Sequence, residues 1–218
     1  MIHSYFSNKD MWFNPQLKLK KKPFLIIAPH PDDDVIGCGG LMAENNSVVC
    51  YLTNGYRGFG KEKYKGKLPE IRKKESVSAL RLLNAEAAFF FGLGNIITME
   101  NRKRAIDRLV AVMKHFKPKK IYVTSPFERH PTHKVATAIT IRAVRIAKLK
   151  PELWGYEVWD MIREKKVDID ITDVKDKKLA AIKCHKTQSM VLEIAIAKHL
   201  LKKKDKYTER YFNMQDAI

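Results

Sequence analysis

Residues 23–28 (PFLIIA), 48–53 (VVCYLT), 87–91 (AAFFF) and 120–124 (KIYVT) are short apolar runs, closed in turn by Pro29, Asn54-Gly55, Gly92 and Ser125-Pro126. Unbroken apolar runs of this length fit strands buried on both faces, as in a parallel sheet. Helical periodicity fills the gaps. Residues 69–83 begin at Pro69, which the first helical turn tolerates, and repeat Val77, Leu80 and Leu83; residues 99–116 repeat Ile106, Leu109, Val110 and Met113 and stop before Pro118. Parallel neighbours require right-handed crossovers, so the alternation predicts an α/β fold with a mostly parallel sheet flanked by helices. Further along, a helix is expected from Pro131 to about residue 149, strands near 154–159 and 167–171, and helices at 173–186 and 190–203. Residues 55–68 form one long glycine- and lysine-rich loop, and loops of that length are usually functional lids or insertions.

A chain of 218 residues suits one domain. The division expected is an N-terminal extension, 1–22, followed by a single domain, 23–218. No apolar run reaches the roughly twenty residues of a membrane-spanning helix, and residues 1–16 scatter aromatics among polar residues instead of forming a secretory leader. A cytoplasmic protein is therefore expected, with Cys38, Cys50 and Cys184 as reduced thiols. The net charge of +18 favours anionic ligands. Its lysines are spread over many segments without a nucleic-acid-binding pattern, so a solvated basic surface is expected, with no specific nucleic-acid partner.

In open parallel sheets, ligands bind beyond the carboxyl ends of the strands. After the first strand stands PHPDDDVIGCGG, residues 29–40; after the fourth stands FERHPTH, residues 127–133. Three adjacent carboxylates, Asp32 to Asp34, repel one another unless a cation sits among them, and both strand ends supply imidazoles. A divalent metal resolves the conflict. Two histidines and one carboxylate with a fourth position open is a typical catalytic zinc set, and iron(II) fits the same donors. Gly37, Gly39 and Gly40 do not make a dinucleotide loop, because Met42 stands where the third glycine belongs and the aspartates would repel a pyrophosphate. Close packing of a helix against the sheet explains them better.

The stretch His30-Pro31-Asp32-Asp33 with Gly37, Gly39 and Gly40 resembles the signature of the LmbE-like (PIG-L) zinc-dependent N-deacetylases, and residues 130–133 (HPTH) resemble its second motif. Arg72 with Glu75, and residues 170–172 followed by Lys178, Ala181, His185 and Gln188, resemble two further blocks, so the likeness spans roughly residues 23–190. It implies a three-layer, Rossmann-like fold; a zinc ion on His30, Asp33 and His133; and Asp32 as general base. It further implies that His130 protonates the leaving amine or stabilises the oxyanion, and that Arg72, His185 and Gln188 contact substrate.

The implied reaction removes the N-acetyl group from an N-acetylglucosamine-containing molecule, a sugar or glycoconjugate that the basic charge would favour as an anion. The family includes homo-oligomers. Two departures stand out: Thr132 replaces a common aspartate, which leaves His130 without an acid beside it, and Asp34 replaces a common glutamate. Other functions to weigh are a thiol-conjugate amidase and, in another class, a basic nucleic-acid-binding protein with a structural metal.

Overall fold

Alternate residues of the first apolar run, Phe24–Ala28, turn to opposite sides: Leu25 and Ile27 enter one buried cluster, Ile26 and Ala28 another. Both faces are covered, which is why the run is apolar throughout. The computed structural model describes residues 2–19, 22–59, 61–163, 165–199 and 206–215. Its strands are β1 (Met11–Phe13), β2 (Phe24–Ala28), β3 (Ser47–Thr53), β4 (Ala85–Leu93), β5 (Lys120–Thr124), β6 (Glu152–Tyr156), β7 (Lys166–Asp170) and β8 (Thr208–Asn213). Its α-helices are α1 (Asp33–Glu44), α2 (Lys61–Tyr64), α3 (Leu68–Arg81), α4 (Met99–Phe116), α5 (Pro131–Ala147), α6 (Lys175–Lys183) and α7 (Ser189–His199).

The strands form one eight-stranded sheet in the order β1-β4-β3-β2-β5-β6-β8-β7. Strands β4, β3, β2, β5 and β6 pair in parallel, while β1 and β8 run antiparallel to their neighbours. Helices α4 and α5 supply Leu109, Val112, Ile139 and Val144 to the cluster on one face; α1, α3 and α6 supply Ile36, Leu80 and Ile182 to the other. The mostly parallel sheet flanked by helices is the one expected from the alternation of strands and helices, and its three layers are those the family resemblance implied. None of its described helices is long and apolar enough to cross a membrane.

Helix α1 lies close on its neighbours, and its glycines permit this. A Cβ on Gly37 would stand 2.2 Å from Tyr156 Cδ2, and one on Gly40 would stand 2.4 Å from Ile171 Cγ2.

Elsewhere the structure departs from expectation. The segment expected as an extension supplies β1 and places Ile2 and Phe6 in the core, where Phe6 packs on Phe89 and Phe91 with ring centroids 5.1 and 5.3 Å apart. The helix expected over 173–186 is α6 between two 3-10 turns, Thr172–Val174 and Lys186–Gln188. The last expected helix begins at Ser189, and its continuation from 200 to 203 lies outside the described residues. Strand β8 was not expected. The loop at 55–68 contains the single turn α2.

Candidate active site

Strands β2 and β5 are neighbours whose chains cross over to opposite sides, so their carboxyl ends open onto one crevice. His30 follows β2, Asp33 opens α1, and His133 lies in the first turn of α5, which starts at Pro131. Local folding brings them together. His30 Nδ1 lies 3.1 Å from Asp33 Oδ2, and His133 Nε2 lies 3.3 Å from the same oxygen. Among the described residues this is the one group of His, Cys, Asp or Glu whose ligand atoms all fall within 4.8 Å of one another.

The donor set fits a cation. His133 is wholly buried, and its Nε2 has no hydrogen-bond partner, the nearest Asp33 oxygen lying 3.3 Å away. Buried polar atoms rarely remain unsatisfied, and an ion shared by the three residues would satisfy this one. His133 Nδ1 sits 3.2 Å from Glu128 Oε2, while Glu128 Oε1 accepts from the backbone N–H groups of Val158, Trp159 and Asp160 at 2.7, 2.9 and 3.2 Å. Glu128 thus holds the proton on Nδ1, which makes Nε2, facing Asp33, the nitrogen left to bind an ion.

Charge follows the same pattern. Burial pushes the His30 imidazole below its ordinary value, against the opposing pull of Asp33. Burial also works against the Asp33 carboxylate, but His133 and His30 outweigh it and hold that group ionised well below the usual range. For His133, burial opposes a charge, yet Asp33 and Glu128 prevail and, without an ion, push the ring up to about 10. The site calls for positive charge, whether a proton or a metal.

The three consecutive aspartates go three ways. Asp32 adopts φ 130° and ψ −28°, a backbone conformation that is strained for a non-glycine residue, and its side chain turns to Arg72 Nη2 at 2.9 Å. Asp34 instead accepts from the Tyr51 hydroxyl at 2.6 Å. Burial raises Asp34 to about 6 and Asp32 to about 7, the latter against the opposing pull of Arg72.

His30, Asp32, Asp33, Arg72, His130 and Gln188 line a cleft of about 400 Å³, large enough for a small ligand. His130 packs beside the other two histidines, with ring centroids 5.2 Å from His30 and 4.7 Å from His133, and burial followed by those neighbours lowers its pKa. The three residues expected to touch substrate are placed differently from one another. Arg72 is 3% exposed and donates to the Pro31 and Gly55 carbonyls besides Asp32. Gln188 reaches the cleft, but its amide clasps Phe59, accepting from N–H at 3.2 Å and donating to C=O at 3.0 Å. His185 is wholly buried and stands outside the cleft lining, its ring lowered to about 3 by burial and then by Arg72. Glu128 is the residue that the sequence reading missed. It is the only acid between β5 and α5, five positions before His133, and that placement was the available signal.

The chain matches the family described as PIG-L, GlcNAc-PI de-N-acetylase, over residues 25–144, more than half its length. It is 27% identical to a probable N-acetyl-alpha-D-glucosaminyl L-malate deacetylase 2 of Bacillus cereus over 209 residues, covering 88% of this chain and 94% of that one. It is 29% identical to a diacetylchitobiose deacetylase of Thermococcus kodakarensis, covering 86% of this chain and 82% of the relative. In fold it resembles an N,N'-diacetylchitobiose deacetylase of Pyrococcus horikoshii, with a TM-score of 0.74 at 23% identity over 90% of this chain and 85% of the other.

Proposed function

Because the chain belongs to the GlcNAc-PI de-N-acetylase (PIG-L) family, we propose that it is a metal-dependent hydrolase that removes the N-acetyl group from an N-acetylglucosamine-containing substrate, releasing acetate and a free amine. The observation that carries this reading is the convergence of His30, Asp33 and His133, with Asp32 beside them on a separate partner, Arg72. Two imidazoles and one carboxylate favour zinc, and iron(II) is the alternative ion. A divalent ion held there would supply Lewis acidity, polarising the amide carbonyl and lowering the pKa of water.

Asp32 is the group free to move protons. Raised to about 7, its carboxyl is poised for general base work near neutrality, and Arg72 fixes its direction. It takes a proton from the water that attacks the acetamido carbon. His130 has a lowered pKa and so is neutral near pH 7, where its N–H can donate to the developing oxyanion. The absence of an acid at Thr132 fits that role better than proton donation by an imidazolium. When the C–N bond breaks, Asp32 returns its proton to the departing nitrogen, giving acetate and the amine. The free cysteines Cys38, Cys50 and Cys184 support a reducing, cytoplasmic setting.

The test is to supply zinc and offer N-acetylglucosamine glycosides, recording acetate and primary amine in equal amounts. Cleavage of thiol-conjugate amides alone would transfer the same site to the amidase reading. Salt-dependent nucleic-acid binding without any amide hydrolysis would leave a binding protein instead.

A further inference from the structure

The cleft has four basic side chains among its lining residues, His30, Arg57, Arg72 and His130, and three are committed. Arg72 is neutralised by Asp32, and the two histidines belong to the metal and oxyanion positions. Arg57 has no carboxylate partner among the described residues. Its Nε donates to the Tyr56 hydroxyl at 2.6 Å, and its guanidinium carbon lies 5.3 Å from the centre of that ring. Neither Nη group has a described acceptor, so both can serve a ligand.

The turn that carries Arg57 is held firmly. Gly58 N–H donates to Gly55 O at 2.9 Å, Arg72 Nη1 donates to the same oxygen at 3.2 Å, and Gln188 clasps Phe59 on both sides of its backbone. A Cβ on Gly58 would stand 2.6 Å from Arg72 Nη1 and 3.1 Å from the Gly55 carbonyl oxygen, so a side chain there would press on Arg72. Arg72 therefore positions both the Asp32 base and the turn bearing Arg57. Tyr56 is 37% exposed, Phe59 57% and Ile97 49%, so this part of the cleft is its mouth, whereas Asp32 and Asp33 lie buried at its floor.

An amide that reaches the floor leaves the remainder of the molecule at the mouth. We propose that Arg57 is a specificity-determining residue that binds a carboxylate or phosphate on the part of the substrate remote from the acetamido group, making anionic N-acetylglucosamine conjugates the preferred substrates. The inference rests on the de-N-acetylase reading. The net charge of +18 acts in the same direction by drawing anions toward the protein, and the planar fork of a guanidinium can give two parallel N–H···O bonds to either anion.

The experiment compares kcat/KM of the zinc-loaded enzyme for a methyl glycoside, a hydroxy-acid glycoside and the 1-phosphate of N-acetylglucosamine. The wild type should favour one or both anions by about ten- to hundredfold, the range of a hydrogen bond to a charged group, and their ratio identifies carboxylate or phosphate. Arg57→Gln should collapse that preference through KM, and Arg57→Lys should recover part of it. Equal kcat/KM for neutral and anionic substrates, or a preference unchanged in Arg57→Gln, overturns the assignment while leaving deacetylation intact. If no N-acetyl sugar is cleaved, the de-N-acetylase reading fails instead. Calorimetric binding of the 1-phosphate against the methyl glycoside still decides the role of Arg57, because a wild-type preference absent from Arg57→Gln supports it and no preference refutes it.

Discussion

Arg72 Nη2 stands 2.9 Å from Asp32 Oδ2, with side-chain exposures of only 4% and 10%. The proposed base is therefore oriented by a buried counter-charge from a different helix. Arg72→Gln would leave the carboxylate buried and unpaired, a loss of about 3–5 kcal/mol of stability when one partner of such a pair is removed. Burial already holds Asp32 at about 7 against the pull of Arg72. Without that pull the pKa rises further, and the acid limb of kcat/KM moves to higher pH. A pH–rate profile of the variant that superimposes on the wild type would show that Arg72 does not act on the base.

Glu128→Gln keeps the shape of the side chain and removes the charge behind His133 Nδ1, 3.2 Å away. Changes to such outer partners weaken metal binding by about 10–100-fold. Competition with a chelator of known affinity measures the effect, and an unchanged zinc affinity would show that Glu128 serves only the backbone of residues 158–160.

Without an ion, His133 is held up to about 10 against 6.5 for an unperturbed imidazole. The raised value means that its stabilising contribution is complete below about pH 6.5 and disappears as pH rises toward 10. The melting temperature of metal-free protein should accordingly fall across that window. Zinc must displace the proton from Nε2, so calorimetry near pH 7.5 in buffers of different ionisation enthalpy should register about one proton released from His133 per ion bound. Binding without proton release would exclude His133 as a ligand.

Gly37→Ala puts a methyl group 2.2 Å from the Tyr156 ring and 2.9 Å from the Glu157 carbonyl. Overpacking of this kind costs about 1–3 kcal/mol, and the shift of α1 that relieves it moves Asp33. A lower melting temperature together with weaker zinc binding is expected from thermal denaturation and titration of this variant. Loss of stability at full zinc affinity would separate the glycines from the site.

Strands β2 to β5 were legible because burial on both faces forces an unbroken apolar run, and the two motifs were legible because they follow β2 and β5. Strand β8 was not. Its Glu209 is buried but accepts from Lys178 Nζ at 2.7 Å, Gly40 N–H at 2.6 Å and the Tyr211 hydroxyl at 2.7 Å, so a charged residue stands where a sequence reading expects an apolar one. The short β1 carries too few residues for periodicity to register. Arg72 and Gln188 were found as positions, but not as the holders of Asp32 and of the Phe59 backbone. Those partners lie across the fold, and nothing in local spacing reveals them.

In the proposed division of labour, His30, Asp33 and His133 bind one ion while Asp32 moves the proton. Metal content and amine release, measured side by side in wild type, Asp32→Asn and His133→Ala, test it most directly. One zinc per chain is expected in the wild type and in Asp32→Asn, with turnover reduced by at least about a hundredfold in Asp32→Asn and neither zinc nor turnover in His133→Ala. A full zinc complement in His133→Ala, or undiminished turnover in Asp32→Asn, would contradict it.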